Sequence, residues 1–403
     1  MNRRYRASRK SYPEVAVFVS SAGVYGRRLL AGVADYIDRH GRWSVFIDSY
    51  AAGRFDSKWL RRWQGDGVLA FIENRQDAQR LKRLKIPIVE TYGHLRDLGL
   101  PQFGNDEHAI GRVAAEHLLE RRFRKFAFCG YRNQPWSRRR HEGFAEAIQQ
   151  AGFSCTRHLT DRKHKTLLDW QRARQKLVEW LTEMPKPLAV MACSDRCAQR
   201  VLDACRRIEL AVPEEVAVIG VDNDETLCRL SDPSLSSVAD DPQRIGYEAA
   251  RLLDDLISGK RRTRDCLRPR LFPPRGVVSC RSTEITVVDD PVVAEALTVI
   301  HRRARENVTV KDVLHEVAVS RSILYERFNK ALGRSPHEHI MLVRLRRVQE
   351  LLLHTSWPLQ TIAQETGFEY ADYMGRVFRK RFGLTPGQYR SRNRPADADS
   401  VGP

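Results

Sequence analysis

The sequence has no apolar run approaching the roughly 20 residues needed to span a bilayer. Its first apolar stretch, residues 15–19, is also too short for the core of a secretion signal. Both absences argue against a secreted or membrane-bound protein, so we expect a cytoplasmic one. With 42% hydrophobic and 30% charged residues, the 403-residue chain can still bury real cores, and its length suggests two or three domains.

Cysteine is present, but not in a metal-binding pattern. The eight cysteines are scattered and form no CxxC pair. Cys193 and Cys197 are four residues apart, as on one face of a helix, but no second pair with zinc spacing lies nearby. We therefore expect structural thiols in a reducing compartment, with no metal and no cofactor.

The sequence also lacks the signatures of common α/β enzymes. No GxGxxG loop follows the first strand pattern, and neither a GxxxxGKS or GxxxxGKT loop nor a GxSxG elbow occurs. The twelve histidines are dispersed, and His337 and His339 have no identifiable acid–base partners. We therefore expect no catalysis. An α/β enzyme acting on a sugar is kept as the weaker alternative.

The charge of the chain is strongly positive. A formal charge of +19 and a pI near 9.9 indicate a polyanionic partner, and nucleic acid is the first candidate. Residues 284–403 contain 18 Lys and Arg against 15 Asp and Glu, so most of the excess lies earlier in the chain. The overall charge therefore does not locate a DNA-binding domain, and local motifs must do so.

The first two thirds of the chain alternate short apolar runs with amphipathic helical patterns. Continuous apolar strands joined by helical crossovers predict parallel sheets covered on both faces. One strand series ends near residue 90 and a second begins near residue 125, so two lobes with a cleft between them are expected. The predicted strands are 14–19, 43–48, 67–72, 86–90, 125–129, 187–191 and 216–220.

From residue 291 the strand patterns disappear, and helical patterns continue to residue 392. Residues 279–291 are typical of an exit and a linker. The predicted organisation is a basic tail over 1–12, a ligand-sensing domain over 13–284, a helical domain over 285–392 and a disordered tail over 393–403.

An internal repeat lies within the helical region. Residues 310–333 and 359–383 each read as a short helix, a tight turn and a second helix that ends in Phe and then Gly. Gly367 suits a turn that needs positive φ, Ser320 is placed to cap a helix, and Ile323 is expected to face the core. Two helix–turn–helix motifs at this spacing favour a DNA reader over a helical bundle with a solvated face.

The second helix of each motif would enter the ~12 Å major groove, where base edges can be distinguished. Arg376 and Arg321 are candidates for bidentate guanine contacts, whereas Arg379 and Lys380 suit phosphates. The predicted DNA-facing residues are Arg321, Ser322, Tyr325, Glu326, Ala371, Asp372, Gly375, Arg376, Arg379 and Lys380.

These motifs resemble the AraC-type transcription regulators over about residues 291–392. The most specific stretches are Ile362-Ala363, Gly367-Phe368, Phe378-Arg379-Lys380, Phe382-Gly383-Leu384-Thr385-Pro386 and Tyr389-Arg390. Ala318 stands where the family usually has glycine, and Met374 where an aromatic is usual. The resemblance implies binding to double-stranded DNA at operator half-sites, by a homodimer that contacts RNA polymerase.

Several short runs within residues 105–259 resemble the sugar-sensing domain of LacI-type repressors, which shares its fold with periplasmic binding proteins. The runs are Asn105-Asp106, 111–119, Arg140-His141-Glu142-Gly143-Phe144, Ser194-Asp195 and 212–223. A LacI-type sensor normally follows its DNA-binding helices, whereas here the DNA reader comes last. This swapped order resembles regulators of pentose use, which implies D-xylose as the effector and activation of xylose-utilisation genes.

The expected fold is therefore an α/β two-lobed periplasmic-binding-protein-like (type I) domain with parallel sheets, followed by an all-α domain with two helix–turn–helix motifs. A sugar-responsive, sequence-specific transcription regulator is the function that this fold implies. A different class remains open, namely a small-molecule binding module whose helical domain mediates protein contacts. Sequence-specific DNA binding that falls steeply with salt would separate the two.

Sugar-binding residues are expected at the carboxyl ends of the strands, where open parallel sheets bind ligands. Carboxylates and guanidinium groups bind adjacent hydroxyls in pairs, and an aromatic ring packs on the C–H face of a sugar. By strand ends and family position, the candidates are Tyr25, Trp136, Arg140, Asp195 and Asp222. The alternatives are helix or turn caps for the aspartates, a salt bridge for Arg140, and core packing for the two aromatic residues.

Overall fold

The structure of the protein is a computed structural model that describes residues 12–41, 43–48, 62–162, 166–285, 288, 290–303 and 307–393. The tails predicted over 1–12 and 393–403 lie almost entirely outside these residues. The chain divides into two compact units, Met1–Ile285 and Thr286–Pro403.

The first lobe of the first unit is built on a parallel sheet. Its strands are β1 (Glu14–Phe18), β2 (Ser44–Asp48), β3 (Gly67–Ala70) and β4 (Ile88–Glu90), with helices α1 (Val24–His40) and α2 (Arg75–Lys82). The strand order is β2-β1-β3-β4. Val15 and Val17 of β1 pack with α1 on one face, while Ala16 and Phe18 pack with α2 on the other. Residues 15–18 of this central strand are all apolar because both faces of the strand are buried there.

A short pair of strands lies beside this sheet. Strand β5 (Phe103–Asn105) pairs in parallel with β11 (Arg270–Phe272), and a bridge from Glu90 to Gln102 connects it to the first sheet. Helix α8 (Pro242–Ile257) contributes Ile245, Ala249 and Leu253 to the same core as α1.

The second lobe is built on a larger sheet. Its strands are β6 (Phe126–Tyr131), β7 (Cys155–Thr160), β8 (Leu188–Ala192), β9 (Val216–Val221), β10 (Ser236–Ala239) and β12 (Gly276–Val278). The order is β12-β10-β9-β8-β6-β7; β12 pairs antiparallel with β10, and the other pairs are parallel. In the described part of this unit, the further α-helices are α3 (Glu107–Glu120), α4 (Pro135–Gln150), α5 (Leu167–Glu183), α6 (Asp195–Arg207) and α7 (Glu225–Leu230).

Each lobe contains a pair of helices that approach closely at glycines. A Cβ on Gly111 of α3 would collide with the carbonyl oxygen of Arg140, and one on Gly143 of α4 with that of His108. In the same way, α1 and α8 meet at Gly32 and Gly246. The absence of side chains at these contacts lets the backbones touch, and the α3–α4 contact fixes the position of Arg140.

The seven strands predicted from the sequence are all found, as β1, β2, β3, β4, β6, β8 and β9. The other five strands that the described residues contain were not predicted. Four of them have only three or four residues, and β7 carries polar side chains at exposed positions. Neither kind of segment gives a clear apolar pattern.

The predicted linker begins at residue 279, but its first residues are held against the first unit by hydrogen bonds. Residues Arg281–Thr283 form a short 3-10 helix in which Ser282 and Thr283 are fully buried. Ser282 Oγ donates to the Val218 carbonyl at 2.5 Å, and His117 Nε2 lies 2.8 Å from Thr283 Oγ1. Residues 286, 287 and 289 of the predicted linker lie outside the described part of the chain.

The second unit is helical. Its elements are α9 (Pro291–Arg302), α10 (Val310–Val317), α11 (Arg321–Leu332), α12 (Pro336–His354), α13 (Leu359–Glu365), α14 (Ala371–Phe382) and α15 (Pro386–Asn393). One core contains Val313, Leu324 and Phe328, and a second contains Met374 and Phe378. Each helix–turn–helix motif is thus packed around its own core.

The turns of the two motifs agree with most of the predictions made from the sequence. Gly367 has φ +74°, and Ser320 Oγ accepts the N–H of Ile323, so the predicted turn and cap are confirmed. Ala318 also takes a left-handed conformation, with φ +55°. The expectation that Ile323 faces the core was wrong: this residue is 42% exposed, whereas Leu324 and Phe328 of the same helix are fully buried.

The predicted fold class is confirmed, with a two-lobed α/β unit followed by a helical one. No helix within the described residues is both long enough and apolar enough to cross a membrane.

Candidate functional site

A cavity of about 1240 Å³ lies in the first unit. Its walls include Tyr25 after β1, Tyr92 after β4, Trp136 after β6 and Asp222 after β9. These positions follow the carboxyl ends of parallel strands, where ligands of open α/β sheets bind. The structure therefore brings four of the five sugar-binding candidates, namely Tyr25, Trp136, Arg140 and Asp222, to one cavity.

Arg140 is the most heavily bonded of these residues. Its Nε atom donates to Glu107 Oε2 at 2.5 Å, and one terminal nitrogen donates to the Cys193 carbonyl at 2.6 Å and reaches Asp222 Oδ1 at 3.4 Å. Burial alone would lower the pKa of Arg140, but Glu107 and Asp222 outweigh it and raise that pKa. Trp136 lies against the guanidinium, with 4.9 Å between Arg140 Cζ and the ring centroid.

Asp222 lies on a strained turn. Its φ is +101° and that of Asn223 is +45°, conformations that non-glycine residues rarely adopt. Arg28 secures this turn by donating to the carbonyls of Asp222 at 2.8 Å and Asn223 at 2.6 Å. Burial raises the pKa of Asp222 to about 6, although Arg140 opposes the shift. The turn thus holds a carboxyl group at the cavity wall.

A second carboxyl group supports the cavity from behind. Asn105, at the end of β5, donates from Nδ2 to Asp240 Oδ2 at 3.0 Å. Burial, followed by the charge of Asp222, raises the pKa of Asp240 to about 7. The other oxygens, Asn105 Oδ1 and Asp240 Oδ1, have no hydrogen-bond partner within the described residues. Buried acceptors without partners suit a ligand that brings hydroxyl donors.

The opposite wall is aromatic. The Phe71 and Tyr92 rings stack at 4.8 Å, and Tyr25 lies 5.7 Å from Phe71 while its hydroxyl donates to the Thr91 carbonyl at 3.1 Å. His94 packs against Tyr92, and neither of its ring nitrogens has a partner within the described residues. Burial, followed by the charge of Arg140, lowers the pKa of His94, so the imidazole is neutral and offers one donor and one acceptor.

Two arginines join the lobes across the cavity. Arg28 of α1 in the first lobe bonds the turn at Asp222 in the second. Arg139 of α4 in the second lobe donates to the carbonyls of Gly93 at 3.0 Å and His94 at 3.1 Å in the first. The lobes are therefore held together in this conformation by side chains that flank the cavity.

Asp195 does not reach the cavity. It is 1% exposed, and its carboxylate accepts hydrogen bonds from Ser237 Oγ at 2.6 Å and from the Asp224 amide at 2.7 Å. It lies at the start of α6 and holds the chain that follows β9, so its contacts match the capping alternative rather than sugar binding. Asp195 is therefore the one predicted sugar-binding residue that the cavity lining leaves out.

Sequence reasoning missed several residues that line the cavity, among them Asn105, Glu107, Tyr92 and His94. Asn105 and Glu107 flank Asp106, the N-cap of α3. Because β5 has only three residues, no strand pattern marked its carboxyl end. The Asn105-Asp106 pair, one of the runs that resemble the LacI-type sensor domain, was the available signal for this position.

The DNA-facing candidates lie on the two second helices of the repeat, α11 and α14. Most are exposed, whereas Tyr325, Ala371 and Gly375 are partly buried. The guanidinium of Arg321 lies 5.3 Å from the Tyr325 ring centroid, and that of Arg376 lies 6.0 Å from the ring of Tyr373. Sequence reasoning missed Tyr370 and Tyr373, which are 61% and 45% exposed at the start of α14.

Three family models match the chain. They describe a XylR N-terminal domain over residues 14–99, a periplasmic binding protein-like domain over 115–282 and a helix-turn-helix domain over 313–392. Both units therefore resemble known modules, arranged with the DNA reader last.

Curated relatives match nearly the whole chain. It is 31% identical over 388 residues to the xylose operon regulatory protein of Escherichia coli strain K12, covering 94% of this chain and 97% of the relative. It is 29% identical over 389 residues to the protein of the same name from Haemophilus influenzae, covering 94% and 99%. Both relatives are regulators rather than enzymes.

Solved structures agree with these matches. The structure of a xylose-binding transcription activator, XylR, matches with a TM-score of 0.80 and 29% identity, covering 96% of this chain and 100% of that one. A CelR–cellobiose complex matches 67% of this chain and 84% of that one, with a TM-score of 0.56 and 23% identity. The second likeness concerns the fold alone.

Proposed function

Because the chain belongs to the xylose operon regulatory protein family, we propose that it binds D-xylose in the cavity of its first unit and activates xylose-utilisation genes through its two helix–turn–helix motifs. The observation that carries this proposal is the match to that family over 94% of the chain, with sensor and reader in the same order.

The deep end of the cavity has the chemistry that a pentose requires. Ionised Asp222 accepts two neighbouring hydroxyls, and the free oxygen of Asn105 accepts a third. Arg140, held by Glu107, donates to a ring or hydroxyl oxygen. Trp136 packs against one face of the sugar. Asp195 takes no part in these contacts.

Sugar binding controls the reader by favouring one arrangement of the lobes. A ligand shifts such an equilibrium only by its differential affinity for the two states. D-xylose contacts Asp222 of one lobe and Asn105 of the other, so it adds to the bonds of Arg28 and Arg139 that already join them. The closed form is therefore the form that sugar stabilises.

Helices α11 and α14 recognise the operator DNA. Arg376 and Arg321 contact guanines, Arg379 and Lys380 contact phosphates, and the other predicted residues of these helices complete the surface. Two chains bind repeated half-sites as a homodimer and contact RNA polymerase. These partners place the protein in the cytoplasm.

The test is a DNA-binding titration of the full chain with a promoter fragment from a xylose-utilisation operon. Fluorescence anisotropy should show specific binding that weakens steeply with salt and is strengthened by D-xylose, whereas D-ribose and D-glucose should have less effect. Sugar-independent affinity that is equal for promoter and random DNA would contradict the proposal.

A further inference from the structure

His94 is a buried polar side chain that none of the sugar contacts proposed above uses. It lies in the loop after β4 in the first lobe, lines the cavity and is 8% exposed. Neither Nδ1 nor Nε2 has a hydrogen-bond partner within the described residues. Buried polar groups in proteins are nearly always hydrogen-bonded, so an imidazole in this position suits a ligand that supplies a partner.

Two aromatic rings hold the imidazole of His94 in place. The centroid of the Tyr92 ring lies 3.5 Å from that of the imidazole. The Trp136 ring of the second lobe lies 6.4 Å away at an interplanar angle of 30°. A phenylalanine could make the same ring contacts without burying a polar atom. Packing alone therefore does not account for an imidazole at this position.

The backbone around His94 is fixed by Glu90, which is fully buried at the end of β4. The Glu90 carboxylate accepts the Gly93 amide at 2.9 Å and a hydrogen bond from Gln102 Nε2 at 3.1 Å. Gln102 Nε2 also donates to the Leu95 carbonyl at 2.6 Å. Hydrogen bonds to the residues before and after His94 thus hold the turn that carries it.

Close packing places the same turn beside the proposed sugar site. Gly93 has φ +67°, and a Cβ on it would meet the Cα of Gly104 in β5 at 3.0 Å. The turn therefore touches β5 one residue before Asn105, which lines the cavity. From the second lobe, Arg139 donates to the His94 carbonyl at 3.1 Å. His94 is thus held from both lobes, next to a residue that the proposed function assigns to the sugar.

The charge state of His94 also suits a neutral sugar. Burial lowers the pKa of His94, and the positive charges of Arg140, Arg139 and Arg162 lower it further. The imidazole is therefore neutral at physiological pH, with one nitrogen that donates and one that accepts. A sugar hydroxyl can bond to either nitrogen, because a hydroxyl is both a donor and an acceptor.

We propose that His94 is a further sugar-contacting residue that determines specificity, and that Glu90 positions it. In the proposed function, on which this inference rests, Asp222, Arg140 and Asn105 bind the sugar. One ring nitrogen of His94 bonds a hydroxyl of the same sugar from the first lobe. A sugar without that hydroxyl leaves the imidazole buried and unpaired, and a site of this kind discriminates strongly against such an analogue.

Isothermal titration calorimetry on the full chain tests this inference. The probes are D-xylose and four analogues, each of which lacks the hydroxyl at one of the carbons C1 to C4. His94→Phe keeps an aromatic ring beside Tyr92 and Trp136 but removes both nitrogens, so it should weaken D-xylose binding about tenfold or more. One of the four analogues should lose no affinity in this variant, because the hydroxyl that His94 bonds is already absent from it.

Glu90→Gln tests the positioning role. The substitution replaces one carboxylate oxygen by an NH2 group, so either the turn amides or Gln102 lose an acceptor. D-xylose affinity should then fall by about threefold or more. Because Glu90 acts through His94, the double variant Glu90→Gln with His94→Phe should bind D-xylose no more weakly than His94→Phe alone. Losses that multiply in the double variant would show that Glu90 does not act through His94.

His141→Phe is the matched control. It makes the same substitution at a half-buried histidine that packs against Phe128 at 5.0 Å and is not among the described residues that line the cavity. Its D-xylose affinity should equal that of the unsubstituted chain. Thermal unfolding without sugar shows whether each variant is folded. If His94→Phe does not fold, the smaller substitution His94→Leu replaces it in the same comparison.

Three outcomes would overturn the inference. Equal D-xylose affinity of His94→Phe and the unsubstituted chain would show that the imidazole only packs, and would leave the proposed function intact. An equal loss for D-xylose and all four analogues would show that the substitution disturbs the cavity rather than one hydrogen bond. An unsubstituted chain that does not bind D-xylose would contradict the proposed function, and the inference with it.

Discussion

Arg140 and Glu107 form a buried ion pair: Arg140 Nε donates to Glu107 Oε2 at 2.5 Å, and each side chain is only 5% exposed. The two residues come from α4 and α3, which touch at Gly111 and Gly143. Burial raises the pKa of Glu107 while Arg140 opposes that shift. Helix packing therefore sets the position of the charge that faces the sugar.

Replacing Arg140 with glutamine should destabilise the protein strongly. Glu107 and Asp222 would remain buried without their shared cation, a loss that typically costs about 3–5 kcal/mol. Protonation of the two carboxyl groups limits the cost. Urea unfolding of the full chain at neutral pH measures the change, and calorimetry should show loss of D-xylose binding.

Arg138→Gln provides the control on the same helix. Arg138 lies 3.5 Å from Glu142, and both side chains are largely exposed, so its removal should cost less than about 1 kcal/mol. If Arg140→Gln costs no more than Arg138→Gln, the buried pair contributes nothing to stability.

The close approach of α3 and α4 gives a second prediction. Gly143→Ala places a methyl group against the His108 carbonyl, so the helices must separate, and overpacking of this kind costs about 1–3 kcal/mol. The midpoint of thermal unfolding should fall, and D-xylose affinity should fall with it because Arg140 moves. Gly387→Ala, in α15 with no neighbouring atom near the new methyl group, should be neutral or slightly stabilising. Unchanged unfolding of the Gly143 variant would show that the contact is loose.

The sequence predicted the long features of the molecule better than its short ones. Strands β6 and β9 are buried along their whole length, so their apolar runs were visible. The three residues of β5 were not, although Asn105 at its end lines the cavity. A strand this short shows no period, and its place depends on pairing with β11, far away in the chain.

Asp195 shows a different limit of sequence reasoning. It follows β8 as Asp222 follows β9, and the two positions predict the same role. Their environments differ, since Ser237 and the Asp224 amide satisfy the Asp195 carboxylate while positive φ holds Asp222 at the cavity. Tertiary contacts decide which of the two carboxylates faces the cavity, and the local sequence pattern does not show those contacts.

Effector affinity should depend on pH. Burial holds the pKa of Asp222 at about 6 and that of Asp240 at about 7, above the ordinary value of 3.8. The stability that these protonated groups contribute is fully present below pH 3.8 and is lost as the pH rises through 6 and 7. Sugar hydroxyls donate to the ionised forms, so D-xylose affinity should rise over the same window, by up to about tenfold per linked proton and pH unit.

Calorimetry in buffers of different ionisation heats should detect proton release on binding near pH 6. Asp240→Asn keeps an oxygen for Asn105 but cannot titrate. Its D-xylose affinity should therefore vary less with pH than that of the unsubstituted chain. An affinity that stays constant from about pH 5.5 to 8 in the unsubstituted chain would show that neither carboxyl group titrates in this range.

The DNA reader gives the last prediction. Arg376 is exposed on α14, and Arg376→Ala should weaken specific binding by about 1–3 kcal/mol and relax preference at one base position, because a bidentate guanine contact is lost. Anisotropy titrations with operators that differ at single bases measure both effects. Arg381→Ala, at the end of the same helix, should instead weaken binding to specific and random DNA alike and lower the salt dependence. If Arg376→Ala behaves in the same way as Arg381→Ala, then Arg376 contacts phosphate, and base recognition by α14 falls to other residues such as the exposed Tyr370 and Tyr373.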